Sequence, residues 1–151
     1  MADNDRDDFV RICCAEALQS LGDTAAVAAA AFLLDDVNFR VRCKTPGLTA
    51  ALLRLIMWLG KGIHGPLVRA YCHAPDPTVR LHAARTLGEL GSPEDEVLLG
   101  TLVHADDSQW VAVSAARSLI RLGVTSPLRK LRTLDHPRAQ LASEFLLPSD
   151  Q

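Results

Sequence analysis

The stretch Val79-Arg-Leu-His-Ala-Ala-Arg-Thr-Leu-Gly-Glu-Leu-Gly91 decides the fold, because the chain writes the same phrase three times without a gap. The other copies are Val10-Arg-Ile-Cys-Cys-Ala-Glu-Ala-Leu-Gln-Ser-Leu-Gly22 and Val111-Ala-Val-Ser-Ala-Ala-Arg-Ser-Leu-Ile-Arg-Leu-Gly123. Each copy places apolar residues at phrase positions 1, 5, 9 and 12. That spacing is one face of a helix with 3.6 residues per turn, so each phrase predicts an amphipathic helix. Each copy ends in Gly, the residue expected to adopt the left-handed conformation that closes a helix.

The second and third copies lie 32 residues apart, but the first and second lie 69 apart, which leaves room for one more unit. Leu48 to Gly60 fills it as a degenerate copy, and Pro46-Gly47 just upstream predicts an insertion or a broken helix. A second helical segment precedes each phrase after the first: Thr24 to Leu34, Pro66 to His73 and Pro93 to His104. A further one runs from Ser126 to Leu134, and a final helix is expected near Arg138 to Leu147. The turns between them are acidic (Asp35-Asp36, Asp76-Pro77, Asp106-Asp107, Asp135-His136-Pro137), as helix N-caps demand. Helix pairs of 31 to 32 residues cannot bury their apolar faces alone and must stack. The expected fold is therefore all-α: a right-handed α–α superhelix of about four to five helix pairs, the second helix of each pair lining the inner surface. Residues 1–8 form an acidic N-terminal segment, 9–147 one repeat domain, and 148–151 a tail.

Bulk properties narrow the function classes. At 151 residues with 48% apolar composition, the chain supplies one continuous core. A formal charge of −2 gives no global attraction to phosphate, which argues against a strongly basic nucleic-acid binder. The charge is nevertheless blocked: residues 1–38 carry eight acids and two bases, 39–91 eight bases and two acids, 92–110 five acids and no base, and 111–151 six bases and three acids. In a solenoid such blocks become adjacent stripes, not one continuous phosphate track. The longest apolar run, Ala25 to Leu34, is half of the roughly 20 residues a bilayer crossing needs. Cys13, Cys14, Cys43 and Cys72 show no CxxC or zinc spacing and read as reduced core thiols of a cytoplasmic protein without a signal peptide.

The phrase VRLHAARTLGELG, followed by SPEDEVLLGTLVHADDSQW, resembles the bacterial HEAT-like repeat named after the phycobilin lyases that contain it. The resemblance covers residues 9–147, most clearly 76–123. It implies a helical solenoid, most often a scaffold, adaptor or regulatory subunit, and in a minority of members a lyase, hydroxylase or DNA glycosylase. HEAT-like di-iron hydroxylases use His-Glu dipeptides as ligands, and this sequence contains none. In this repeat family an arginine at phrase position 2 bonds to acidic turn residues of the adjacent unit. That is the role the resemblance implies for Arg80 and Arg11, with Arg42 as a further equivalent.

Four residues are the candidate partner-binding set: Trp110, Arg85, Arg117 and Arg121. All lie off the apolar stripe, and Trp and Arg are favoured at binding hot spots. The plain structural reading is a solvated helix face, with Trp110 packed under a turn. Trp58 is expected in the core. His73 and His104 hold matching places in neighbouring units but are too far apart for one metal, so they read as capping or surface residues. Gly60, Gly62 and Gly65 follow no strand and read as an inter-pair loop, not a phosphate cradle.

The sequence thus predicts a non-enzymatic adaptor, scaffold or immunity-type inhibitor that binds another protein through its inner helical face, with no cofactor and no metal. The alternatives are a lyase or lyase subunit for a bound cofactor or pigment, and nucleic-acid binding through Arg80, Arg85, Arg117, Arg121 and Lys130. The first phrase lacks its partner helix. Either the acidic segment Asp3 to Asp8 caps that end, or the open edge is a partner or homodimer surface.

Overall fold

The computed structural model describes residues 24–35 and 46–146, together with Cys13 and Ala17. Eight α-helices follow one another among them: α1 (Thr24–Asp35), α2 (Pro46–Leu59), α3 (Gly65–Tyr71), α4 (Pro77–Leu90), α5 (Glu96–Ala105), α6 (Gln109–Arg121), α7 (Ser126–Arg132) and α8 (Ala139–Phe145). They form four pairs. Within each pair the first helix packs on the second, and α2, α4, α6 and α8 form the continuous layer against which the others sit. The chain is an all-helical repeat solenoid. Apart from Cys13 and Ala17, the Val10–Gly22 copy, Arg11 and Cys14 included, lies outside the described residues, as do Arg42, Cys43, Asp3 to Asp8 and the tail.

The apolar stripe becomes the core as the phrase predicts. Positions 1, 5 and 9 are buried in three consecutive second helices: Leu48, Leu52 and Ile56; Val79, Ala83 and Leu87; Val111, Ala115 and Leu119. Position 12, at the helix end, is only half-buried in Leu59, Leu90 and Leu122. Pro46 and Gly47 do not break the degenerate copy. They open α2, where the first-turn N–H groups lack helical partners anyway and Pro removes nothing.

Neighbouring second helices are joined by a repeated hydroxyl bond. Thr86 Oγ1 shares its proton between the His82 carbonyl of its own helix at 2.7 Å and the Leu53 carbonyl of the neighbouring one at 3.2 Å, and Ser118 Oγ donates to the carbonyl of Ala84 at 2.8 Å. Both donors occupy phrase position 8 and both acceptors on the neighbouring helix position 6 of the preceding unit, so α2, α4 and α6 run parallel in one register. Gly88 makes the closest approach possible, since a Cβ there would lie 2.5 Å from Ser118 Oγ and 3.0 Å from its Cα.

The turns are stapled across units. Asp76 caps α4 by accepting from the N–H groups of Thr78 and Val79. Asp106 does more than cap: it accepts from Ser108 N–H and from two of the three Arg80 guanidinium nitrogens, Nε at 2.8 Å and Nη2 at 3.0 Å. Arg80 also reaches Asp107 and the carbonyls of Ala74 and Pro75. The position-2 arginine therefore holds the acidic turn of the next unit, as the resemblance implies. Two further staples carry no phrase signature. Arg69 pairs with buried Asp95 at 2.5 Å, and Arg138 donates to the Val103 carbonyl at 2.8 Å and to that of Asp106, closing the end of α5.

Three local expectations fail. Gly91 is not left-handed (φ −77°, ψ −173°), and neither is Gly60; among the described residues only Gly123 is, at φ 72°. Gly is required at position 91 because a Cβ would meet the Leu87 carbonyl at 2.4 Å and Asp95 Oδ2 at 2.6 Å. Cys13 is exposed, not in the core, whereas Cys72 is buried. Trp58 is 63% exposed because it occupies position 11, the solvent side of α2, despite its apolar neighbours in sequence.

Candidate functional site

The solvent side of the second helices, here called the B-face, carries phrase positions 7 and 11, with position 4 at its buried margin. Position 7 is Arg54 in α2, Arg85 in α4 and Arg117 in α6. Because the three helices share one register, these arginines form a row across them, with neighbouring helix axes about 8–10 Å apart. Arg85 and Arg117 are exposed and make no ion pair or side-chain hydrogen bond among the described residues; Arg54 is half-buried. Counting from Leu48 identifies Arg54 from sequence alone, but the irregular lead-in at Pro46-Gly47 hid the register.

Position 11 holds Trp58, Glu89 and Arg121. Arg121 donates to the Glu89 carboxylate on the neighbouring helix, so of the four expected partner-binding residues it is the one already engaged. Trp110 begins α6, seven residues before Arg117 and on the same side, and is 73% exposed. Trp110, Arg117 and Arg121 thus share one face of α6, with Arg85 beside them on α4. The two exposed tryptophans stand at opposite corners of the B-face: Trp58 at the C-terminal end of α2, Trp110 at the N-terminal end of α6.

Between Arg54 and Arg85 lies His82, at position 4, a residue that periodicity alone did not single out. Burial, then Arg54, then Arg85 push its pKa down to about 4, and its Nδ1 is buried without a partner. His82 is therefore neutral near pH 7. Its effect on stability has a definite sign. Between 6.5 and about 4 the unfolded chain takes up a proton that the folded ring refuses, so stability falls as pH drops through that window. Discounted for the ring's partial exposure, the loss is roughly 1–2 kcal/mol. We expect His82→Leu to flatten the pH 4–6.5 limb of a urea-stability profile and to raise stability at pH 7 by about 1 kcal/mol. A mutant profile parallel to wild type would exclude His82 as the titrating group.

Other polar groups serve the frame. Arg80 is committed to Asp106, which withdraws it from any basic B-face stripe. Lys130 lies on α7, a first-type helix of its pair. His73 is exposed, and His104 stacks on His136 with ring centroids 4.3 Å apart. Cys72 is buried beside the Arg69–Asp95 pair. Burial and Asp95 push its pKa up to about 12, against the opposing pull of Arg69, so it stays a thiol and not a nucleophilic thiolate. Among the described residues no group of three His, Cys, Asp or Glu side chains is placed to hold a metal, and no helix is long and apolar enough to cross a membrane.

Comparison with known proteins agrees with this geometry. A search of curated proteins finds no match. Residues 50–120, from within α2 to the end of α6, match the family model described as HEAT repeats. That window spans the three parallel helices whose register and hydroxyl ladder define the stack, and the same helix pairing continues on both sides of it: the chain is a HEAT-like repeat protein.

Proposed function

We propose that this protein is a non-enzymatic interaction module, an adaptor, scaffold or inhibitor, that binds another protein through its B-face. The carrying observation is the coincidence on one surface of two widely exposed tryptophans with the exposed arginines Arg85 and Arg117, which make no ion pair among the described residues. Exposed Trp costs solvation until covered, and Trp with Arg is the residue pair most enriched at binding hot spots. Parallel packed helices hold these groups in fixed positions, which reduces the ordering cost of association. A module of this kind acts in the cytoplasm without a cofactor.

The test is affinity capture from the native cell with wild type and with a Trp110→Ala, Arg85→Ala, Arg117→Ala variant. All three side chains are exposed, so the variant is expected to unfold at the wild-type temperature while losing its partner. Undiminished capture would show that the partner uses another surface.

A further inference from the structure

We propose that the Arg54–Arg85–Arg117 row reads carboxylates, and that the B-face takes an acidic helical segment of a protein partner presenting one carboxylate per seven residues. This rests on the protein-binding reading above and specifies its chemistry. The row is regular because the helices beneath it are: two hydroxyl bonds join position 8 to position 6 at successive junctions, so position 7 recurs once per helix at the inter-axial spacing of about 8–10 Å. A helix laid across the row advances 1.5 Å per residue, so its residues i and i+7 are about 10.5 Å apart. Carboxylates at that interval match successive guanidinium groups, each able to form a forked pair.

The side chains around the row favour a carboxylate-bearing protein over a nucleic acid. Beside the row, Glu89 on the central helix neutralises Arg121, so the face offers separate guanidinium groups for carboxylates placed one per turn-pair and no continuous positive track for phosphates. Trp110 lies seven residues before Arg117, roughly 10 Å along α6, and Trp58 lies four residues past Arg54, roughly 6 Å along α2. Both ends of the row are thus flanked by apolar area that a peptide helix covers and a sugar-phosphate backbone does not. Arg85 and Arg117, free of ion pairs among the described residues, carry the inference; Arg54 extends the row toward Trp58.

The experiment measures binding of a fluorescent helical peptide of about 21 residues, with Glu at three positions seven apart and Leu between them, to the full chain by anisotropy. A second peptide replaces each Glu with Gln. The Glu peptide is expected to bind at least about tenfold more tightly than the Gln peptide, and the Arg85→Glu, Arg117→Glu variant is expected to lose at least about tenfold, equivalent to about 1.4 kcal/mol. The preference should shrink as salt rises from about 50 to about 300 mM. Equal affinity for the two peptides, or no binding by either, overturns the proposal. So does tighter binding of a duplex DNA through the same two arginines. Capture of the native partner separates this failure from that of the protein-binding reading. If Arg85→Glu, Arg117→Glu retains the partner but Trp58→Ala, Trp110→Ala loses it, the face binds protein without reading charge. If both variants retain it, the B-face is not the interface.

Discussion

Replacing Arg80 with Ala is expected to cost about 3 kcal/mol. The guanidinium is 12% exposed and the Asp106 carboxylate it holds is 3% exposed. Breaking a buried pair by deleting one partner leaves the other charge desolvated without compensation, which is costly by about 3–5 kcal/mol when burial is complete. The lower end applies here, because Asp106 retains the Ser108 N–H and the Asp107 partner of Arg80 is exposed. Arg80→Lys is expected to recover less than half, since an ammonium cannot supply the fork that spans Asp106 while also reaching the Ala74 and Pro75 carbonyls. Acid reports the same contact. Burial opposes ionisation of Asp106, but the Arg80 hydrogen bonds and the Ser108 N–H outweigh it and hold the carboxyl below its ordinary 3.8. A depressed carboxyl contributes stability that is present above the unfolded value and lost as pH falls below about 3.8 through the folded one. Equilibrium urea unfolding at pH 7 and at pH 3 measures both: the wild-type-to-Ala difference should be largest at pH 7 and shrink in acid. A pH-independent difference would mean that Arg80 acts by packing alone.

The second large effect comes from a hydrogen atom's worth of space. Gly88→Ala is expected to destabilise by about 1–2 kcal/mol although Ala favours a helix interior by about 1 kcal/mol over Gly. The new Cβ would sit 2.5 Å from Ser118 Oγ, 2.8 Å from its Cβ and 3.0 Å from its Cα. Rotating the hydroxyl relieves only the first of these contacts, so α6 must move away from α4, and overpacking of that kind costs about 1–3 kcal/mol. The displacement also lengthens the Ser118-to-Ala84 bond, transmitting the strain along the register. Gly88→Leu is expected to prevent folding. Moving the side chain to the other helix, Gly88→Ala with Ser118→Gly, should recover most of the loss in Tm. A double variant no more stable than Gly88→Ala would contradict a steric origin.

Most of the architecture was legible in the chain because a repeat states its packing several times over. Positions 1, 5 and 9 of the phrase are buried in every copy described, and the Asp76 cap and the Arg80 staple sit where capping chemistry and the repeat resemblance place them. Arg85, Arg117 and Trp110 lie on one surface for the same periodic reason. The misreadings share a physical cause. The expectation that Trp58 fills a repeat-core position fails because position 11 faces solvent. Gly91 and Gly60 were given a backbone conformation when their constraint is the space a Cβ would need.

The sequence by itself determined the helix pairing, the buried stripe and the unit length of the described residues, because these follow from a 3.6-residue period and from capping residues within each unit. Only the tertiary structure decided what lies between units. It paired Arg121 with Glu89, set Arg69 on Asp95, closed α5 with Arg138 and aligned Arg54 with Arg85 and Arg117. Such contacts depend on the offset between adjacent helices, and that offset is set where Gly88 meets Ser118 and Thr86 meets Leu53. No single unit's residues encode it.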